Sequence, residues 1–162
     1  MTRVRLRAAN LDDVGRISEI VEVAYSPWVD RIGIRPRPMD ADYAEVVARG
    51  TATVAEREGK VLGVLVTGAD AEGNHLVDNL AVEPCSQGAG VGRSLLTLAE
   101  DSARVAGADS IYLFTHERMI ENIGWYCSLG YAEFERRPIP EGSLVYMRKP
   151  LTESRPISKK ES

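Results

Sequence analysis

Seven consecutive residues, Gln87-Gly88-Ala89-Gly90-Val91-Gly92-Arg93, carry the clearest chemistry in the chain. They follow an apolar segment, residues 76–82, and open an amphipathic stretch, so they read as strand, tight turn and helix N-terminus. The first N–H groups of a helix have no intrahelical partners, and the helix dipole adds about half a positive charge there. Glycines at 88, 90 and 92 keep side chains out of the path of an approaching anion. The chemistry is the holding of a phosphate by backbone, with Arg93 and Ser94 beside it.

Spacing narrows which phosphate ligand fits. A dinucleotide fingerprint places Gly-x-Gly-x-x-Gly directly after a strand, with an acidic residue about 20 positions further on. Counted from Gly88, the third glycine position holds Arg93, and counted from Gly90 it holds Leu95. Glu83-Pro84-Cys85-Ser86 also separates strand from glycines. The Gly-Lys-Ser/Thr of a nucleoside-triphosphate loop is absent. A dinucleotide oxidoreductase and a P-loop enzyme are both disfavoured.

The pattern Leu80-Ala81-Val82-x-Pro84 followed by Gln87-x-x-Gly90-x-Gly92 resembles the acetyl-CoA signature of the GNAT superfamily of N-acetyltransferases. Downstream, Asn122-Ile123-Gly124-Trp125-Tyr126-Cys127-Ser128-Leu129-Gly130-Tyr131 resembles that family's Asn-x-x-x-Tyr-x-x-Leu-Gly-Tyr/Phe block. Each block alone is a moderate signal, and the two in this order are a strong one. The likeness covers residues 3 to 150. It implies that Gln87 to Ser94 wrap the pyrophosphate of coenzyme A, and that strands 75–82 and 110–115 splay apart. Backbone groups of Leu80, Ala81 and Val82 then bond the pantetheine arm and the thioester, while their side chains read as core.

Acetyl transfer needs a neutral amine, a stabilised oxyanion and a proton for the departing thiolate. By resemblance Tyr126 is the general acid, and Asn122, one helical turn earlier, contacts the cofactor arm. A phenol titrates near pH 10 and a thiol near 8.5. The alternative is that Tyr126 only packs under the sheet. Asp78, His75, Glu83, His116 and Glu117 are candidate bases, with Asp78 foremost; a water relay without a single base is also open. A charged Asp78 inside a strand is costly to bury unless paired. In this fold the segment between the first two helices forms the acceptor wall, which makes Tyr25, Trp28, Arg31 and Tyr43 candidate substrate contacts. Packing of a long loop would use the same residues.

These residues need a scaffold, and the pattern supplies one. Residues 3–8 read as a strand. Asn10 caps a helix with Asp12 and Asp13 in its first turn and Val14, Ile17, Val21 and Ala24 on one face. Pro27, Gly33, Pro36 and Pro38 make residues 25–38 irregular, and a second helix runs from Met39 to about Ala48. Residues 51–57 and 60–67 form a hairpin turning at Glu58-Gly59. A turn at 70–74 leads into strand 75–82. The helix after the glycine turn buries Val91, Leu95, Leu98 and Ala99 and stops near Gly107. Strand 110–115, helix 120–128 and strands 131–137 and 143–149 complete the chain. The predicted fold is an α/β (α+β) sandwich, a mixed, mostly antiparallel sheet of about seven strands flanked by four helices.

Length supports one domain at 1–150, and the apolar-poor residues 151–162 read as a disordered tail. The formal net charge of −4 lacks the basic excess of a nucleic-acid binder. It also means that an anionic cofactor is held by local features and not by a global field. No apolar run has the length of a membrane span, and no signal-peptide core or metal-ligand cluster is evident. Two cysteines, Cys85 and Cys127, suit a reduced, cytoplasmic setting without a disulfide. The expected partner is a small-molecule or peptide amine, with homodimers common in the family. A non-catalytic acetyl-CoA sensor is the alternative from another class.

Overall fold

The computed structural model describes residues 3–151. Seven strands share one sheet: β1 (Arg5–Ala8), β2 (Ala52–Arg57), β3 (Lys60–Ala69), β4 (His75–Val82), β5 (Ser110–His116), β6 (Ala132–Ile139) and β7 (Gly142–Pro150). Their order is β1-β2-β3-β4-β5-β7-β6. Only β4 and β5 run parallel; the other neighbours are antiparallel. The β2–β3 hairpin turns on Glu58 (φ 53°) and Gly59 (φ 79°), the paired left-handed residues that a tight hairpin demands.

Four helices cover the sheet, α1 (Val14–Ile32), α2 (Tyr43–Ala48), α3 (Val91–Val105) and α4 (Ile120–Ser128). Ile17, Ile20 and Val21 of α1 and Val47 of α2 bury against Val54, Val64 and Val66 on one face. Leu95, Leu96 and Ala99 of α3 and Tyr126 of α4 bury against Leu113, Val145 and Met147 on the other. Gly63 lets α3 sit close to the sheet. A Cβ there would lie 3.1 Å from Val91 and 3.2 Å from Leu95. That contact fixes the start of α3 beside the end of β4. The predicted sandwich, a mostly antiparallel seven-stranded sheet with four helices, is the one that forms.

Pro27 predicts a break in the first helix, yet α1 continues through it to Ile32. An interior proline costs about 3 kcal/mol, but stopping there would leave Ile32, only 2% exposed, outside the core. The helix ends where Gly33 takes φ 96° and donates its N–H to the Val29 carbonyl at 2.8 Å. A 3-10 turn (Arg37–Asp40) precedes α2, and Asp42 caps that helix with bonds from Ala44 and Glu45 N–H. Leu98, expected in the core, is only partly buried; Leu96 and Ala103 of the same helix are buried instead, because α3 packs chiefly on β3 and β4 through that stripe. Leu151, assigned to the tail, is 3% exposed and donates to the Asp109 carbonyl at 2.7 Å. The rest of the assigned tail lies outside the described residues.

The feature that makes room for a site is the parting of β4 from β5. Their ladder holds only His75 to Ile111 and Leu76 to Tyr112. On its other side β4 keeps pairing with β3 up to Val82, interrupted once, where Val66 faces Asn79 and Thr67 faces Val77. Asp78 is the extra residue of that bulge. A bulge bends its strand, and here it lies next to the place where β4 turns away from β5.

Candidate active site

Gly88 (φ 84°) and Gly90 (φ 87°) both occupy left-handed backbone, and Gly90 caps α3. Nothing lies within 4 Å of a Cβ built at either position, so conformation and not crowding requires glycine there. Gly92 has ordinary backbone, but a Cβ would sit 3.4 Å from the Trp125 ring. The first bond of the new helix runs from the Ser94 N–H to the Gly90 carbonyl at 3.0 Å. Among the described residues, the N–H groups of Gly88 to Arg93 have no hydrogen-bond partner. Six donors in sequence at a positive helix end form an anion cradle.

The cradle opens on a cavity of about 440 Å³ lined by Leu80, Val82, Gln87, the three glycines, Arg93, Asn122, Trp125 and Tyr126. Two elements distant in sequence, the glycine turn and α4, thus line one cavity. The Gln87 amide donates to the Val82 carbonyl at 3.1 Å. Arg93 makes no ion pair among the described residues. Ala81 (4% exposed) and Val91 (1% exposed) turn their side chains into the core, leaving only backbone for a ligand. Ala89 is exposed, and Ser94 faces an adjoining groove with Thr97 and Leu98.

Tyr126 is 9% exposed, and burial pushes its phenol up to about 12. It is therefore a weaker acid than a thiol, so its proton can pass to sulfur only as the carbon–sulfur bond breaks. Trp125, packed at 5.1 Å against Tyr126, lines the same wall. Sequence reasoning passed over it, although it follows Asn122 by three residues and so shares its helix face.

On the other side of β4 a polar chain runs through the buried Asn79. Tyr25 donates to its Oδ1 at 2.7 Å, and its Nδ2 donates to the Tyr43 hydroxyl at 2.9 Å. Tyr43 in turn donates to the Pro38 carbonyl at 2.6 Å. Burial raises both phenols above their usual value. Of the four expected acceptor residues, Tyr25 and Tyr43 thus meet at Asn79, a residue with no local sequence signal. Trp28 and Arg31 meet each other, guanidinium 4.7 Å above the ring, and Arg31 pairs with Glu121 of α4 at 2.7 Å.

The candidate bases separate clearly. His116 is buried with both nitrogens used, Nδ1 accepting from Arg118 N–H and Nε2 donating to the Glu141 carbonyl. Glu83 is gripped by Arg16, Cys85 and Ser86, which hold its carboxyl at about 2. Glu117 pairs with Arg136 at 3.2 Å. His75 begins β4 in the closed part of the ladder. Asp78 alone stands on the bulge, half exposed and paired with Arg37 at 3.1 Å. It lines a hollow of about 330 Å³ with Tyr43 and Asn79. Cys85 and Cys127 are free thiols. Among the described residues, no helix is long and apolar enough to cross a membrane, and no cluster of His, Cys, Asp and Glu could hold a metal.

A parted parallel pair, an anion cradle and a tyrosine-bearing helix wall define an acyl-CoA type of site, and similarity to known proteins agrees. The sequence model described as "Acetyltransferase (GNAT) domain" matches residues 48–133. The chain belongs to the GNAT acetyltransferase family. An "IAA acetyltransferase" of Azospirillum brasilense is 35% identical over 103 residues, 60% of this chain. The match spans 66% of that relative, just under two thirds of its length. The PaiA N-acetyltransferase of Thermoplasma acidophilum, solved with coenzyme A, superposes with a TM-score of 0.78 at 15% identity, covering 91% of this chain and 99% of its own. YncA of Salmonella typhimurium, solved with acetyl-CoA, gives 0.71 at 22%, covering 98% and 99%.

Proposed function

We propose that the described residues, 3–151, form one acetyl-CoA-dependent N-acetyltransferase domain that moves an acetyl group to a primary amine by direct attack. The observation that carries this reading is the run of N–H groups from Gly88 to Arg93 that lack a partner among the described residues, in the turn whose glycines line the cavity walled by Asn122 and Tyr126. Those donors, with Arg93, suit a pyrophosphate. Backbone of Leu80 to Val82, freed from β5, suits the amide-bearing arm. Coenzyme A complexes of two fold neighbours support the choice of donor.

The donor supplies an activated acetyl thioester. Asp78, directly or through water, takes one proton from the acceptor ammonium, and the amine lone pair forms the new carbon–nitrogen bond. Tyr126 gives its proton to sulfur as the carbon–sulfur bond breaks. It recovers a proton from the nitrogen, so the amide and a free thiol leave with one proton released overall. The free thiols Cys85 and Cys127 support a reducing, cytoplasmic setting.

The test is thermal unfolding with acetyl-CoA, coenzyme A, NADH and ATP, followed by thiol release with amine acceptors. Ligand at 100 times its dissociation constant adds about 2.7 kcal/mol. Stabilisation by the two coenzyme A species alone, together with amine-dependent thiol release, is the expected result. Binding without release with any amine would favour the sensor, and stabilisation by NADH or ATP alone would overturn the reading.

A further inference from the structure

Arg37 reaches across the parting of β4 and β5. Its Nη2 lies 3.1 Å from Asp78 Oδ1 on β4, and its guanidinium carbon stands 5.7 Å from the centre of the Phe114 ring on β5. The pair is exposed, with 73% of the Arg37 side chain and 43% of the Asp78 side chain open to solvent. Exposed ion pairs contribute little, and an arginine side chain loses much rotamer freedom when held. The guanidinium is therefore easily displaced, while the carboxylate and ring face that receive it remain.

The two groups converge on one cation site beside the hollow lined by Arg37, Asp78 and Asn79. Phe114 also belongs to a larger aromatic cluster. It stacks on Tyr146 at 4.8 Å with an interplanar angle of 23°, and Phe134 meets Tyr146 edge-on at 6.2 Å. Arg137 lies 4.3 Å over Tyr146 and Arg148 lies 3.9 Å over Phe134, so this cluster holds three guanidinium groups on ring faces. α1 packs on β3 and β4, and beyond it Phe114 and Phe134 stay partly exposed. Planar cations suit such a surface, because the ring quadrupole attracts the charge and the flat contact excludes water.

We propose that the acceptor is a primary amine carried on a planar aromatic body. Its ammonium replaces the Arg37 guanidinium between Asp78 and Phe114, and its ring lies against Phe114. The word acceptor rests on the acetyltransferase reading; the recognition site does not.

Titration calorimetry of the full chain with 2-phenylethylamine, n-hexylamine and 3-phenylpropanoate tests it. The aromatic amine binds several-fold more tightly than the alkyl amine, and the carboxylate, lacking an ammonium, does not bind. Asp78→Asn weakens the aromatic amine about tenfold or more. Arg37→Ala removes the internal competitor and tightens it. Phe114→Leu abolishes the preference for the aromatic amine, which loses ring contact and cation–π attraction together, whereas hexylamine weakens only by the smaller cation–π share. Equal binding of the two amines, binding of the carboxylate, indifference to Asp78→Asn or absence of any amine binding would each overturn the proposal. Aromatic amines that bind as described, in a protein that releases no thiol with any amine, would instead sink the acetyltransferase function and leave the site intact.

Discussion

The Gln87 side chain clips the glycine turn to the end of β4, donating to the Val82 carbonyl at 3.1 Å. The strand edge and the anion cradle are thereby held at a fixed separation, which a ligand spanning both must match. Gln87→Ala should weaken acetyl-CoA binding roughly fivefold, the worth of about one net hydrogen bond. Because Gln87 is exposed, the unfolding temperature should hardly move. Calorimetric dissociation constants for the two proteins check this, and equal values would show that the clip does not shape the site.

Gly90 separates conformational from steric effects. At φ 87° a β-branched residue is strained by about 1–3 kcal/mol, so Gly90→Val should lower the unfolding temperature by several degrees and also weaken acetyl-CoA binding. Asparagine tolerates left-handed backbone. Gly90→Asn should unfold near the wild-type temperature yet still bind acetyl-CoA more weakly, because its side chain enters the approach path. Wild-type affinity in the asparagine variant would count against the cradle.

Tyr126→Phe should lower kcat roughly a hundredfold or more and leave acetyl-CoA affinity unchanged. With its phenol pushed up to about 12, the wild-type enzyme should show no alkaline loss from Tyr126 ionisation across the usual assay range. The raised value also has a stability consequence. An unfolded tyrosine ionises near pH 10, so the stabilisation from burying the neutral phenol is complete below pH 10 and fades as pH rises toward 12. The unfolding temperature of the wild type should therefore fall relative to that of Tyr126→Phe over that window.

Glu83 governs the acid side. Arg16 is its strongest partner, with Cys85 and Ser86 also donating, and the carboxyl is held at about 2 against an ordinary 4.5. Its contribution is present above pH 4.5 and is lost as pH falls toward 2. Glu83→Gln should be less stable at neutral pH and show a shallower loss through that window. Unfolding temperature measured against pH would reveal it, and parallel curves would refute the assignment.

Features set by neighbouring residues were legible in the chain. The glycines at 88 and 90 state their backbone conformation, Glu58-Gly59 states its turn, and the Asn122 to Tyr126 interval places both on one helix wall. What long-range packing decides was not. Pro27 reads as a stop, because the gain from burying Ile32 five residues on is invisible locally. The bulge that singles out Asp78 depends on how β3 registers against β4. Asn79 and Arg37 gain meaning only from groups 36 to 54 positions away in sequence, and Phe114 from Arg37, farther away still.

The parting of β4 and β5 leaves the two halves of the sheet tied backbone to backbone by two residue pairs at one end. Mechanically the sheet is a clothes-peg, sprung at His75 and Leu76 and open at Val82. A ligand whose own amides reach across the gap acts as a splint, completing the ladder that the protein leaves unmade. Amide deuterium uptake should therefore fall along both jaws when acetyl-CoA binds, and most toward the open end.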